Sequence, residues 1–300
     1  MAKQTEFSLS ISEFAESFLY LNGKPYSLKD YPHMVAIYNS KSDKTTVKTS
    51  RQVSKSTTIA NSMISRAVMI KYFKGLYVAP RIDQTKLFSH DRVATVLDQS
   101  PLLRDYYISV KDENSVFTKQ FSNGSKLFFR YAFLSPDAIR GITATACFID
   151  EVQDINIEFI PIIEETMFRS ETKTSVYTGT PKHSQGTLSQ LWRKSTMNEY
   201  ALRCEKCNNW NILMEENIGL LGPICSRCGG SLKGAKGQWV STFPNRDKLP
   251  KMNGFRICAM HFYNAPWVKW ERDLVEKRDN SPTQAVFYNE TLGLDRKSVV

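Results

Sequence analysis

Residues 49–57 read TSRQVSKST and could bind a nucleotide phosphate. They match the phosphate-binding pattern GxxxxGKS/T at Lys55 and Ser56, whereas Thr49 and Ser54 replace its two glycines. In such a loop, backbone amides and a helix N-terminus surround the phosphates, the lysine supplies positive charge and the hydroxyl binds Mg²⁺. Taken alone, this polar stretch could also be the cap of an ordinary helix. Other residues must complete a catalytic site.

Asp150 and Glu151 directly follow the apolar run ACFI at 146–149. A buried strand with this ending would deliver both carboxylates to one edge of a sheet. Asp150 could then hold Mg²⁺ through water, while Glu151 could polarise the water that attacks the γ-phosphate of ATP. An acidic pair at a strand end can also be solvated loop. Because this pair follows a strand, a Lys-Ser loop and a helix, the sequence favours an ATP-hydrolysing site.

Four of the six cysteines form two CxxC pairs with the spacing of a zinc ribbon that binds its ion through four cysteines. Four thiolates leave no open coordination position, so we expect the Zn²⁺ to be structural. Disulfides are the less favoured alternative, since they are rare inside cells. Nearby basic residues could contact a DNA backbone or simply be solvated. The predicted zinc ligands are Cys204, Cys207, Cys225 and Cys228, and the basic residues are Lys206, Arg227, Lys233 and Lys236.

The composition supports a folded chain with a polyanionic partner. Hydrophobic residues make up 41% of the 300 positions, enough for one large domain or two modest ones. A net charge of +10 suits nucleic acid, although many basic proteins bind none. The sequence contains no uncharged apolar run of eighteen residues and no secretory signal, so we expect a soluble intracellular protein without a membrane partner. Cys147 and Cys258 stand beside apolar residues and are expected to be buried thiols, with a redox role less favoured.

These candidate residues need a scaffold, and the hydrophobic pattern alternates between strands and helices. This βαβα order predicts an α/β fold with a mainly parallel sheet flanked by helices. Asn123-Gly124 lies between two strand-like runs and predicts a local hairpin at 117–133. The predicted strands are 45–50, 76–80, 146–150 and 175–180, and the predicted helices are 12–22, 31–38, 56–68, 84–97, 157–168 and the tail from 267.

Several motifs resemble those of the large terminase subunits of tailed bacteriophages, over roughly residues 26–190. The family's phosphate loop reads S-R-Q-x-G-K-S/T, and residues 50–56 depart from it only at Ser54. Arg140-Gly141 and the small residues after it resemble the segment that precedes the family's acidic pair. Thr178-Gly179-Thr180-Pro181 resembles its coupling motif, and residues 76–81 resemble its second strand.

The resemblance implies a P-loop NTPase of the ASCE/RecA-like type that uses ATP and Mg²⁺, with a small zinc-ribbon insertion. Glu151 would be catalytic together with Arg51, acting in cis, and Arg140, acting on the neighbouring subunit; a surface salt bridge is the alternative for Arg140. Tyr31 would contact adenine. The implied nucleotide-binding residues are Ser50, Gln52, Val53, Ser54, Lys55, Ser56, Thr57 and Asp150, with Ser56 and Asp150 also holding Mg²⁺, and the coupling residues are Thr178, Gly179 and Thr180.

The same resemblance implies a division of the chain and a set of partners. Residues 1–200 would form the ATPase core, 201–237 the zinc ribbon, and 238–300 would complete the ATPase and lead toward a nuclease domain that we expect this chain to lack. The implied partners are double-stranded DNA, the terminase small subunit, the portal protein and further copies in a ring, in the host cytoplasm at the procapsid portal. Two other functions stay open: a helicase-like DNA translocase, and a zinc-dependent nucleic-acid-binding module with an inactive ATPase fold.

Overall fold

The computed structural model describes residues 9–106, 115–244 and 252–295. Its strands include four that are almost entirely buried, as expected for strands covered on both faces. The strands are β1 (Tyr20–Leu21), β2 (Lys24–Pro25), β3 (Lys44–Thr49), β4 (Lys74–Ala79), β5 (Thr118–Gln120), β6 (Lys126–Tyr131), β7 (Ala146–Ile149), β8 (Thr174–Gly179), β9 (Asn198–Arg203), β10 (Trp210–Ile212), β11 (Gly237–Ser241) and β12 (Asn253–Ile257).

The helices are short except for the one that follows β3. They are α1 (Ile11–Phe18), α2 (Pro32–Tyr38), α3 (Lys55–Met69), α4 (Ile82–Leu87), α5 (Thr95–Gln99), α6 (Pro101–Tyr106), α7 (Phe159–Glu165), α8 (Thr187–Arg193), α9 (Lys277–Asn280) and α10 (Gln284–Phe287). Three stretches of π-helix adjoin these helices. One continues α4 over Phe88–Ala94, one precedes α9 over Glu271–Glu276, and one continues α10 over Tyr288–Leu292. None of the helices in the described ranges has the length and apolar character needed to cross a membrane.

Apart from the β1–β2 hairpin, the strands of the described ranges form one sheet of ten. Its order is β10-β9-β12-β3-β8-β7-β4-β6-β5, with β11 also paired to β9. The pairs β9–β12, β12–β3, β3–β8 and β4–β6 are parallel, whereas β10 and β11 on β9 and β5 on β6 are antiparallel. The predicted α/β fold with a mainly parallel sheet is confirmed.

Contacts divide the chain into two compact units. The first comprises Met1–Leu28, Ser56–Phe148 and Glu158–Thr174. In it, Tyr77 of β4 stacks on Phe88 with ring centroids 3.8 Å apart. The predicted hairpin forms here, and Asn123 in its turn donates to the carbonyls of Ala67 and Val68 at 2.8 and 3.1 Å. The turn therefore satisfies carbonyls that the C-terminus of α3 leaves without helical partners.

The second unit comprises Lys29–Lys55, Ile149–Ile157 and Ser175–Val300. One of its hydrophobic clusters joins the cysteine-bearing segment to the helices near the C-terminus. The second unit also contains two buried ion pairs, Arg256–Glu199 at 2.6 Å and Lys48–Asp295 at 3.0 Å. Arg256 also donates to the carbonyl of Leu292 at 2.6 Å. A charge buried this deeply is tolerated because its ion-pair partner offsets the cost of removing it from water.

The N-terminal helix is shorter than the sequence pattern predicts. The pattern places it over 12–22, but α1 ends at Phe18. Asn22 and Gly23 adopt φ of +53° and +73° and form the turn of the β1–β2 hairpin. Asn-Gly suits such a two-residue turn, because both central positions need positive φ. Helix 84–97 also differs, since α4, the π-helix and α5 together span 82–99.

Candidate active site

The loop between β3 and α3 takes a conformation that glycine would adopt more easily than the residues present. Gln52 and Ser54 have φ of +61° and +58°, and Val53 between them is 2% exposed. A left-handed backbone costs a non-glycine residue about 1–2 kcal/mol. Ser54 stands at the position where the resembled motif has glycine, and its φ explains why glycine is suited to that place.

Lys55 begins α3 and joins the two acidic residues that follow β7. Its ammonium lies 2.8 Å from Asp150 Oδ1 and also forms an ion pair with Glu151. Burial works against the charged lysine, but the two carboxylates outweigh it and raise the pKa of Lys55. The structure therefore brings together the lysine and the carboxylates that the sequence singled out.

The surroundings of Asp150 at the end of β7 favour its ionised form. It is 3% exposed, and burial alone would favour its protonated form, yet Lys55 and hydrogen bonds lower its pKa. Thr178 Oγ1 donates to Asp150 Oδ1 at 2.7 Å, and the backbone N–H of Glu151 donates to the same oxygen at 2.9 Å. The predicted coupling segment thus touches the predicted Mg²⁺ ligand directly.

Glu151 is held from two sides. Its backbone is left-handed, with φ of +48°. One carboxylate oxygen, Oε1, pairs with Lys55, while Oε2 accepts a hydrogen bond from Gln153 Nε2 at 2.5 Å. Sequence reasoning missed Gln153, although its position two residues after Glu151 in an acidic turn was a usable signal.

The first residues of the phosphate loop are tied to the coupling segment and to the C-terminal part of the chain. Thr49 Oγ1 donates to the carbonyl of Gly179 at 3.2 Å, and the N–H of Ser50 donates to the carbonyl of Ile257 at 2.9 Å. The Arg51 guanidinium lies 2.9 Å from Glu290, and the Arg51 N–H donates to the Glu290 carbonyl at 2.8 Å. Because these two residues are 239 positions apart, no local sequence pattern could have linked them.

Two other predicted site residues have different surroundings. Arg140 belongs to the first unit, where its side chain is 71% exposed and pairs with Asp137 at 3.2 Å. Tyr31 precedes α2 in the second unit, and its ring packs against Phe262 and Trp267 at centroid distances of 5.1 and 5.7 Å. At the N-terminus of α3, Ser56 is half-buried and Thr57 is buried.

The four cysteines of the CxxC pairs converge. Their sulfur atoms all lie within 4.8 Å of one another. Cys204 and Cys228 are 3.7 Å apart and Cys207 and Cys225 are 3.6 Å apart, and none forms a disulfide. A tetrahedral ion with Zn–S bonds of about 2.3 Å places sulfurs ~3.8 Å apart, so the spacing fits Zn²⁺.

The two CxxC turns share one backbone pattern. The N–H of Cys204 donates to the carbonyl five residues on, and its carbonyl accepts from the N–H of Asn208. Cys225 repeats both bonds, with Gly229 as the donor to its carbonyl. Asn208 and Gly229 both have positive φ, +59° and +67°. The repeated geometry aims two pairs of thiols at one point.

Comparison with known protein families identifies the chain's relatives. Residues 24–228 match the model of the family described as phage terminase large subunit gpA, ATPase domain. The chain belongs to this family. It is therefore the ATPase domain of a terminase large subunit, an enzyme that hydrolyses ATP. The matched range includes the phosphate loop, Asp150, Glu151 and all four clustered cysteines.

Solved structures agree on the fold. The ATPase domain of the large terminase of Thermus phage P74-26 is 15% identical with a TM-score of 0.58, and the match covers 90% of this chain and 93% of that one. The HK97 bacteriophage large terminase is also 15% identical, with a TM-score of 0.51 over 61% of this chain and 40% of that one. Identities this low show a shared fold. No curated protein sequence shows significant similarity to this chain.

Proposed function

We propose that this terminase ATPase domain hydrolyses ATP at the site around Lys55 and uses the reaction to move double-stranded viral DNA into a procapsid. The observation that carries the proposal is the ion-pair contact of Lys55 with both Asp150 and Glu151 at the end of β7. A lysine, a buried carboxylate and a second carboxylate beside it are the groups that phosphoryl transfer to water requires.

Each residue has a role in this proposal. Lys55 binds the terminal phosphates, and Glu151 orients the attacking water. The hydroxyl of Ser56 and the carboxylate of Asp150 supply the hard oxygen ligands that Mg²⁺ prefers, and the bound ion would stabilise charge on the phosphates. The remaining proposed contacts, made largely through backbone N–H groups, come from Ser50, Gln52, Val53, Ser54 and Thr57.

Two arginines are proposed to neutralise charge that develops on the γ-phosphate. Arg51 acts within its own subunit and Arg140 acts on a neighbouring copy in a ring. Both side chains are more than 60% exposed and held by surface ion pairs, which are worth only about 0–1 kcal/mol and so are easily exchanged. Full ATPase activity of Arg140→Ala in the assembled motor would exclude the second role.

Two further assignments complete the nucleotide site. Tyr31, in its aromatic cluster, is proposed to contact the adenine. Thr178, Gly179 and Thr180 are proposed to couple hydrolysis to movement, supported by the bond from Thr178 to Asp150.

The cysteine cluster is proposed to hold one structural Zn²⁺ through Cys204, Cys207, Cys225 and Cys228. The sulfur spacing and the two matched turns support this assignment. Metal analysis should find one zinc per chain, and Cys228→Ser should lower both zinc content and thermal stability. Full stability without zinc would contradict the proposal.

The proposal extends to organisation, partners and location. We propose residues 1–200 as the ATPase core, 201–237 as a zinc-ribbon insertion and 238–300 as the segment that completes the ATPase. The terminase small subunit, the portal protein and further copies of this chain are the proposed protein partners, and the host cytoplasm at the procapsid portal is the proposed location. The family assignment and the net charge of +10 support contact with DNA and the packaging machinery.

Phosphate release from ATP, measured with and without Mg²⁺ and double-stranded DNA, tests the central proposal. The wild-type chain should hydrolyse ATP only with Mg²⁺, and Lys55→Ala should lose at least about a hundredfold in rate, because the phosphates lose their main charge partner. Lys71→Ala, which removes an exposed lysine, is the matched control and should keep the rate. Wild-type protein that neither binds nor hydrolyses ATP would favour the zinc-dependent module with an inactive ATPase fold.

A further inference from the structure

Gln153 links the proposed catalytic carboxylate to the proposed coupling segment. It lies in the 3-10 turn Val152–Asp154 that directly follows Glu151. Its Nε2 donates to Glu151 Oε2 at 2.5 Å, while Lys55 pairs with Glu151 Oε1. With a separate donor on each oxygen, the carboxylate has one preferred orientation. Without the Gln153 amide, the Glu151 carboxylate would keep Lys55 as its only side-chain donor in the described part of the chain.

The other end of the same amide faces β8. Gln153 Oε1 is buried, and no hydrogen-bond donor reaches it in the described ranges. It packs so closely on Gly179 that a Cβ at that position would overlap it. Gly179 in turn accepts a hydrogen bond from Thr49, the residue before the phosphate loop. There is no gap between the Gln153 amide and the end of β8. A shift of Gly179 toward the amide must therefore displace the Gln153 side chain.

We propose that Gln153 is a positioning residue, which holds the Glu151 carboxylate in its working orientation and transmits the position of Gly179 to it. This inference rests on the proposed role of Glu151 in activating water. A carboxylate that turns away from the attacking water slows the chemical step, and displacements of about 1 Å in an active site can cost ~100-fold in rate. Nucleotide binding depends on other groups.

The split between kcat and KM for ATP tests the positioning role. Gln153→Met keeps the volume of the side chain but removes the N–H donor, and Gln153→Ala removes both. Each should lower kcat about tenfold to a hundredfold and leave KM within about twofold, because the lost interaction acts on the transition state rather than on bound ATP. A purely structural role would instead lower the thermal stability and leave the kcat of the folded fraction intact.

Gly179→Ala tests the transmission to β8. Gly179 has no positive φ, so alanine introduces no backbone strain and mainly displaces the end of the glutamine side chain. This variant should lower kcat in the wild-type background. Combined with Gln153→Met, it should lower kcat by less than the product of the two single losses, since both changes act through one contact. Strictly multiplicative losses would contradict the transmission.

The same assay separates failure of this inference from failure of the proposed function. If Lys55→Ala or Glu151→Gln keeps wild-type turnover, the proposed catalytic site itself is wrong. If those two variants are inactive while Gln153→Met and Gln153→Ala keep kcat within about twofold of wild type, only the positioning role of Gln153 is overturned.

Discussion

Ser54 is a non-glycine residue at a position where the phosphate loop needs a left-handed backbone. The loop turns through left-handed φ at Gln52 and Ser54 and buries Val53 between them. This geometry aims the N-terminus of α3 and Lys55 at the acidic pair. The contacts of Lys55 with Asp150 and Glu151 show that the loop places this lysine beside both carboxylates despite the strain.

Replacing Ser54 by glycine should therefore stabilise the chain. Glycine removes about 1–2 kcal/mol of left-handed strain but gives the unfolded chain more freedom, which leaves a net gain of about 0.5–1 kcal/mol. Urea unfolding measures this difference. Ser62→Gly, in the middle of α3, is the matched control and should lose about 0.5 kcal/mol. A less stable Ser54→Gly would show that the serine side chain outweighs the strain.

The site residues that belong to short sequence motifs could be predicted from the sequence. Lys55, Asp150, Glu151 and Thr178 were all predicted, because each lies in a short motif at the end of a predicted strand, and the structure places them in contact. Their catalytic and binding roles stay predictions. Glu290 was not predicted, since only the folded chain brings it to Arg51.

The segment from Tyr288 to Asp295 packs against the strand β3 and the loop after it, which carry the site. Asp295 pairs with Lys48 of β3, and Glu290 pairs with Arg51. Gly293 approaches the backbone of Ser50 so closely that a Cβ would lie 2.9 Å from its nitrogen. Its φ of +65° adds a second reason for glycine at this position.

The two ion pairs of this segment should differ greatly in their contribution to stability. Asp295→Asn leaves the buried ammonium of Lys48 without its counterion and should cost about 3 kcal/mol. Burial already lowers the pKa of Lys48, against the opposing effect of Asp295. Glu290→Gln removes the same charge from an exposed pair and should cost less than about 1 kcal/mol. Equal losses in urea unfolding would contradict this difference.

The elements that the sequence predicted share a strong hydrophobic pattern. β3, β4, β7 and β8 appear as short apolar or β-branched runs, because a strand covered on both faces needs such side chains. The sequence did not reveal β12, which lies between β9 and β3 and carries a charged residue, Arg256. That residue is tolerated because Glu199 neutralises it, a pairing across 57 residues that no local pattern encodes.

Two buried histidines of the second unit couple the stability of the folded chain to pH. Burial lowers the pKa of His33 to about 3, and burial, His33 and Arg256 lower that of His261 well below its usual value. The two rings are 5.3 Å apart, beside Tyr200 and Phe262. Both shifts favour the neutral form of the two histidines in the folded chain.

The chain should lose stability as pH falls below about 6.5, the ordinary pKa of histidine. Below that pH the histidines of the unfolded chain bind protons, whereas those of the folded chain stay unprotonated. The free energy of unfolding therefore decreases as the pH falls from about 6.5 toward about 3. Between about pH 6.5 and 5, His33 alone should account for about 2 kcal/mol. His33→Phe should flatten this decline in urea unfolding, whereas His90→Gln, which changes an exposed histidine, should not. An unchanged slope in His33→Phe would contradict this origin.

In the proposed site, Glu151 would activate the water that attacks ATP, beside Lys55 and Asp150. The most direct measurement compares ATP affinity and phosphate release in Glu151→Gln and wild type, with Glu171→Gln as an exposed control. The proposed site predicts that Glu151→Gln binds Mg²⁺-ATP within about threefold of wild type while hydrolysis falls at least ~100-fold. Glu151→Gln that hydrolyses ATP at the wild-type rate would contradict it.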